Sequence, residues 1–170
     1  MSTSTADRPS SPVLVGSSLG PESDDVVRLA LSIARDGASQ LVLLHVLEPQ
    51  GDVAAGLLAF TVVRDGLVAA SREQLAAQLR RLGALSRDVA EIAVELPPVA
   101  VALLAAADRW QPKLLVIGAN RDSPSSRRLG AEAARLLRRS PRPLLVVPTW
   151  AECHPAKGFV PTRQRGDSAP

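Results

Sequence analysis

Five short stretches of this chain are apolar at successive positions rather than alternating, although the third is interrupted by Glu91 and Glu95. Each run stops at or just before a glycine, a proline or a glutamate. Continuous runs of this length are typical of strands that are buried on both faces. The pattern therefore predicts strands at 12–16, 40–48, 90–96, 113–118 and 142–148.

Apolar residues at helical spacing fill the first two intervals. Ser23 is placed to act as the N-cap of the first helix, and Gly37 supplies its stop. Residues 51–66 fit either a helical extension or a loop. One face of the second helix is predicted from five residues: Val68, Ser71, Leu75, Leu79 and Leu82.

The last two intervals also predict helices. The pair Pro97–Pro98 suits a helix start, and Val101, Leu104 and Ala105 predict the buried stripe of that helix. A fourth helix is predicted at 129–139. Strands that alternate with helices in this way predict an α/β fold, with a five-stranded parallel open sheet covered by helices on both faces.

Ligands of such open sheets bind outside the carboxyl ends of the strands, where the strand order reverses. The loops at 16–21 and 118–130 follow the first and fourth predicted strands. A functional site is therefore expected where these two loops meet.

Size and composition fit one domain with a disordered segment at each end. The chain has 170 residues, of which 46% are hydrophobic, enough for a substantial aliphatic core. We predict a disordered segment at 1–11, a domain at 12–148 and a flexible tail at 149–170. The N-terminus lacks the apolar stretch of a signal peptide, and no apolar run approaches the ~20 residues of a membrane span. We expect a cytoplasmic protein without membrane contact.

Charge and reactive side chains narrow the function classes. A net charge of +3 is too weak to argue for a nucleic-acid partner. The single cysteine, Cys153, forms no intrachain disulfide, and neither it nor the adjacent His154 belongs to a metal-ligand cluster. His45 is expected to be a hydrogen-bonded core residue. We predict no catalytic residues and no metal site.

Arginines recur on the last predicted helix. Arg128, Arg135 and Arg139 fall roughly on one face, where an acidic partner or a phosphate backbone could contact them. No aromatic residues interleave with them to stack on bases. An exposed, solvated helix face is the simpler interpretation.

Four stretches carry a resemblance to the universal stress protein family: "VLVGSS", "ASQLVLLHV", "LLVIGANR" and "LGAEAARLLRRSPRPLLVVP". The resemblance covers about Val13 to Val147. It implies an adenine nucleotide alpha hydrolase-like sheet with strand order 3-2-1-4-5. It also implies a homodimer that pairs through the last strand, with an interface at Pro143, Leu144, Leu145, Val146 and Val147.

Many members of the family that this chain resembles share two features of ATP binding. One is the loop Gly-x2-Gly-x9-Gly-Ser/Thr, and the other is an aspartate at the end of the first strand. Here Gly118 matches the first glycine, but Arg121 stands at the second. Only eight residues separate Arg121 from Gly130, and Ala131 replaces the hydroxyl residue. Ser18 stands at the place of the aspartate.

These departures predict a vestigial nucleotide site. Its candidate residues are Gly16, Ser17, Ser18, Val46, Gly118, Asn120, Arg121, Gly130 and Ala131. The leading hypothesis is a non-enzymatic, dimeric stress-response domain that requires no cofactor and acts through protein contacts. The alternative is a sensor that binds ATP or another adenine nucleotide weakly, with Arg121 holding a phosphate. A third hypothesis, an enzyme of the pyrophosphatase type, rests on "GSSLGPESDD" and has the residues in the wrong order.

Overall fold

The computed structural model describes residues 11–47, 53–96, 98–119 and 130–149. Within these ranges, strands and helices alternate, with a short 3₁₀ turn (Ser86–Asp88) before the third strand. The elements are β1 (Val13–Gly16), α1 (Glu22–Asp36), β2 (Leu41–Val46), α2 (Val53–Arg81), β3 (Val89–Glu95), α3 (Val99–Trp110), β4 (Leu114–Ala119), α4 (Ala131–Arg139) and β5 (Leu144–Pro148).

The five strands form one parallel sheet with the order β3-β2-β1-β4-β5. Val15 in β1 lies between Leu43 in β2 and Val116 in β4. The predicted fold class and strand order are therefore confirmed. The order reverses beside β1, because the chain builds outwards to β3 before it returns to β4.

Apolar side chains pack on both faces of this sheet. Leu14 and Leu115 point into one layer with α3 and α4, whereas Val15 and Val116 point into the other with α1 and α2. All four side chains are fully buried. Strands covered on both sides must be apolar at successive positions, which explains the apolar stretches in the sequence.

The second helix, α2, is much longer than the strands of the sheet. Ser71, Leu75 and Leu79 are buried, and the other two residues of the predicted face are half-buried. The ambiguous segment before them continues the helix, so α2 has 29 residues and a length of about 43 Å. The six residues of β2 span only about 20 Å. Val63 and Leu67, towards the N-terminal half, remain 49% and 40% exposed.

Two local predictions were wrong. Ser23 is not the N-cap of α1; Pro21 occupies that position without a side-chain cap, and the Ser23 hydroxyl donates to the Gly20 carbonyl at 2.7 Å instead. In α3 two residues of the predicted stripe face outwards, since Val101 is 54% exposed and Ala105 is exposed, whereas Leu104 is half-buried against the core. Positions 99–107 are apolar at every residue, so their periodicity could not select the buried face.

Candidate functional site

The described ends of both predicted loops lie at the carboxyl edge of the sheet. Ser17 and Ser18 directly follow β1, Val46 ends β2, and Gly118 is the penultimate residue of β4. Gly130 is the N-cap of α4. Since β1 pairs with both β2 and β4, these residues flank the reversal of strand order, the position at which open α/β sheets form a ligand-binding crevice. Asn120 and Arg121 lie outside the described residues.

Backbone contacts fix the turn that follows β1. The Ser17 N–H donates to the Leu44 carbonyl at 2.8 Å, and the Ser17 carbonyl lies 2.8 Å from His45 Nδ1. The Leu19 N–H donates to Ser17 Oγ at 3.1 Å, and Leu19 adopts a left-handed φ of 66°. His45 is thus hydrogen-bonded, as the sequence predicted, but it is half-buried rather than part of the core. Nδ1 must carry the proton in that bond because a carbonyl only accepts.

A buried polar cluster lies beneath this turn. Ser17 Oγ donates to Gln78 Oε1 at 2.9 Å, and Gln78 Nε2 donates to Ser23 Oγ at 2.9 Å. The hydroxyls of Ser17 and Ser23 lie 3.1 Å apart. Gln78 is only 1% exposed, so each of its polar groups needs such a partner. We call Ser17, Ser23 and Gln78 the polar cluster; it joins the β1–α1 turn to α2.

Asp24 extends this cluster to the surface. Its Oδ1 accepts from Gln78 Nε2 at 2.8 Å and from Arg81 at 2.9 Å. Partial burial raises the pKa of Asp24, but the bonds from Gln78 and Arg81 outweigh it, so its pKa lies below the ordinary value. The carboxylate is therefore charged at neutral pH and held between two elements.

The sequence analysis did not identify Gln78 as part of the site. A signal was present, because Gln78 follows Leu75 by three residues and precedes Leu79, within the apolar face of α2. A glutamine among buried leucines needs hydrogen-bond partners. The residues that supply them lie far along the chain, at positions 17 and 23.

A carboxylate lies beside the position where the family's aspartate is missing. Ser18 Oγ donates to Glu22 Oε1 at 2.8 Å. The Glu22 carboxylate also packs over Gly20, in the space that a Cβ at that position would need. Glu22 is the first residue of α1, so its charge also faces the positive end of that helix.

Close packing at the end of β4 explains Gly118. A Cβ there would lie 2.9 Å from Thr149 Cγ2 and 3.3 Å from Val26 Cγ2. Thr149 is held in place because its hydroxyl donates to the Ala119 carbonyl at 2.6 Å. Gly118 is thus required by local packing, whether or not a ligand binds.

The N-terminus of α4 carries a carboxylate instead of a hydroxyl. Ala131 is exposed, and the next residue, Glu132, accepts from the Ala100 N–H at 2.8 Å. Glu132 therefore caps α3, and its second oxygen accepts from Arg135 at 3.1 Å. Gly130 has a φ of −55°, a value that any residue can adopt. One carboxylate thus lies in the first turn of α4 and caps the first turn of α3.

Metal binding and membrane insertion find no support in the part of the chain that the structure describes. No group of three or more His, Cys, Asp or Glu side chains could hold a metal ion there. No described helix is both long and apolar enough to cross a bilayer. Cys153 and His154 lie outside the described residues.

The family model of the universal stress protein family matches residues 10–148. The chain is similar to universal stress protein UspA from Lactobacillus plantarum, with 15% identity, a TM-score of 0.66, and coverage of 83% of this chain and 99% of that one. A universal stress protein solved in complex with cAMP has 24% identity, a TM-score of 0.59, and coverage of 84% and 100%. A universal stress protein from Archaeoglobus fulgidus in complex with dAMP has 17% identity, a TM-score of 0.53, and coverage of 82% and 99%. Curated protein sequences give no significant match.

Proposed function

The chain belongs to the universal stress protein family, and we propose that it acts in the cytoplasm as a non-enzymatic stress-response domain, through dimerisation and protein contacts rather than tight ATP binding. The observation that carries this proposal is the Glu132 carboxylate at the start of α4. A helix N-terminus attracts anions through its free N–H groups and its dipole. Here the Glu132 carboxylate already accepts from the Ala100 N–H at the start of α3, and its charge lies in the first turn of α4.

Local charge supports the same conclusion. The first turn of α1 holds three carboxylates, and the first turn of α4 holds Glu132. Both helices begin near the carboxyl edge of the sheet. Asp24, Asp25 and Glu132 pair with arginines, but Glu22 has no ion pair among the described residues and would present a like charge to a triphosphate. Ala131 offers it no hydroxyl.

A weak nucleotide sensor is the alternative function. The relatives solved with cAMP and dAMP favour it, because their nucleotides carry fewer phosphate charges than ATP. Glu22 could also take over the role of the missing aspartate, since it already accepts from Ser18. Arg121 would then hold the phosphate.

Calorimetric titration of ligand-free protein with ATP, AMP and cAMP plus magnesium separates the two functions. We expect no ATP binding below about millimolar concentration. Ala131→Ser, which restores the hydroxyl at the exposed start of α4, serves as the matched variant. Micromolar binding of AMP or cAMP to the unaltered protein would support the sensor. Micromolar binding of ATP would refute the leading proposal.

The dimer is proposed to form at the free edge of β5. Leu144 and Val146 are half-buried although their strand pairs with β4 on one side only. Leu137 is 49% exposed on α4, which packs on β5. It lies five residues after Glu132, which reaches α3, and therefore on the opposite flank of the helix. An apolar edge of this kind is suited to pairing with a second copy.

Backbone direction allows a specific test. The Pro143 carbonyl accepts from the Leu115 N–H at 2.9 Å, so the backbone groups of Leu145 also face β4. Those of Leu144 and Val146 face away from the sheet. Val146→Pro should therefore yield monomers by light scattering without loss of a bond to β4. Val146→Thr keeps the N–H and should remain dimeric. A folded Val146→Pro dimer would exclude this interface.

A further inference from the structure

Three arginines follow closely on one another at the end of α4. Arg138 and Arg139 are exposed at its end, and Arg142 follows three residues after the helix. Among the described residues, no carboxylate lies within ion-pair distance of any of them, whereas Arg135, one turn earlier, pairs with Glu132 at 3.1 Å. We call Arg138, Arg139 and Arg142 the basic cluster. Its charge is not balanced within the described part of the chain.

Arg142 is held in place by its backbone. Its N–H donates to Ser140 Oγ at 3.2 Å, and the Ser140 hydroxyl donates to the Arg142 carbonyl at 2.8 Å. This turn keeps Arg142 directly after the end of α4. The side chain is half-exposed, yet its Nε is buried and lacks a hydrogen-bond partner in the described structure. A buried donor without an acceptor carries a desolvation cost.

Helix stability accounts for only part of the cluster. Cations near a helix C-terminus interact favourably with its dipole, which explains Arg138 and Arg139. Arg142 lies beyond the helix, and its buried Nε gains nothing from that dipole. An acceptor from outside that drew the guanidinium outwards would relieve the unpaired donor and would complete the cluster.

We propose that the basic cluster is the docking surface for an acidic segment of a partner protein. This inference rests on the proposed function, in which the domain works through protein contacts. Guanidinium groups bind carboxylates in a bidentate manner, and three of them within five residues fit a short run of Asp or Glu.

The size of the cluster favours a protein partner over nucleic acid. Non-specific binding to DNA depends on the number of phosphates neutralised, and three cations would give a salt slope of only about −3. No aromatic side chain belongs to the cluster, so bases would have nothing to stack on.

Fluorescence anisotropy tests the proposal directly. The probe is a labelled oligo-glutamate peptide, with an oligo-lysine peptide and single-stranded oligo-dT of similar length as comparisons. Arg138→Glu/Arg139→Glu should weaken oligo-glutamate binding at least about tenfold at low salt. Arg142→Gln, which removes one charge without reversing it, should weaken it about threefold.

Arg72→Glu/Arg80→Glu provides the matched control. Both arginines are exposed on α2 and have no ion pair among the described residues, so the control changes net charge equally at another surface. It should change affinity less than about twofold. An equal loss of oligo-glutamate affinity in both double variants would mean that net charge alone determines binding, and it would overturn the proposal. So would tighter, cluster-dependent binding of oligo-dT, or the absence of oligo-glutamate binding.

Measuring dimer mass and ATP binding on the same variants distinguishes a failure of this proposal from a failure of the proposed function. The cluster variants should leave dimer mass and ATP titration unchanged, because they alter neither β5 nor the crevice. Tight ATP binding would refute the proposed function, and a cluster-dependent peptide complex would still stand in that case. Loss of the peptide complex alone would refute only the docking surface.

Discussion

Gln78→Met would test whether the polar cluster stabilises the site. Methionine fills a similar volume but removes three hydrogen bonds, two with the hydroxyls of Ser17 and Ser23 and one with the carboxylate of Asp24. Bonds between neutral groups contribute about 1 kcal/mol each, and a bond to a charged group about 1.5–3 kcal/mol. Apolar burial by methionine offsets part of this loss, so the free energy of unfolding should fall by about 2–4 kcal/mol.

Urea unfolding followed by circular dichroism at pH 7 would measure this change. Gln74→Met is the control, because Gln74 is exposed on the same helix and should change stability by no more than about 0.5 kcal/mol. A double-mutant cycle with Ser17→Ala should give a coupling energy of about 0.5–3 kcal/mol.

Two results would refute this reasoning. The first is a Gln78→Met variant as stable as the Gln74→Met control, which would mean that the three bonds contribute nothing over water. The second is additive behaviour of Gln78→Met and Ser17→Ala, which would mean that the two side chains act independently.

Three further predictions follow from packing and charge. Hydrogen bonds from Gln78 and Arg81 to Asp24, and from Arg35 and the Leu85 N–H to Asp88, hold the pKa of each carboxyl below its ordinary value of 3.8. Their contribution to stability should be complete above about pH 4 and fall as the pH drops through the lower folded-state values, so Asp24→Asn should flatten an acid titration followed by circular dichroism. Gly118→Ala should destabilise the fold by about 1–3 kcal/mol in urea because its Cβ would meet two side chains. Gly66→Ala, with nothing within 4 Å, should instead favour the helical form of its segment by about 0.5–1 kcal/mol, measured by slower amide exchange of residues 63–70; a destabilising effect there as well would contradict this account. Glu132→Gln should raise the affinity for AMP about fivefold in calorimetry, by removing about 1 kcal/mol of charge repulsion, and an unchanged affinity would show that this carboxylate does not face the phosphate.

The sheet was predictable from the sequence because burial on both faces leaves a local signature. The strand at 113–118, for example, is apolar through Leu114 to Ile117. The strand order came from the family resemblance and is confirmed. The buried face of α3 was not predictable, since every position from Val99 to Ala107 is apolar.

The hydrogen-bond partners within the polar cluster could not be predicted from the sequence, for a different reason. Its bond between Ser17 and Gln78 joins residues 61 positions apart, and no local pattern records such a pairing. The carboxylate of Glu132 is similar, because it caps a helix that begins 33 residues earlier. Long-range hydrogen bonds depend on how helices are placed on the sheet.

The length of α2 also affects how the molecule opens. Its C-terminal half is anchored by Leu75, Gln78 and Leu79, while residues 63–70 have no buried side chain. A helical segment without tertiary packing has little stability of its own. The amide hydrogens of residues 63–70 should therefore exchange with solvent through local fraying, at rates that stay the same when the sheet is stabilised or destabilised. The anchored turns at 71–81 should instead exchange only when the whole domain unfolds.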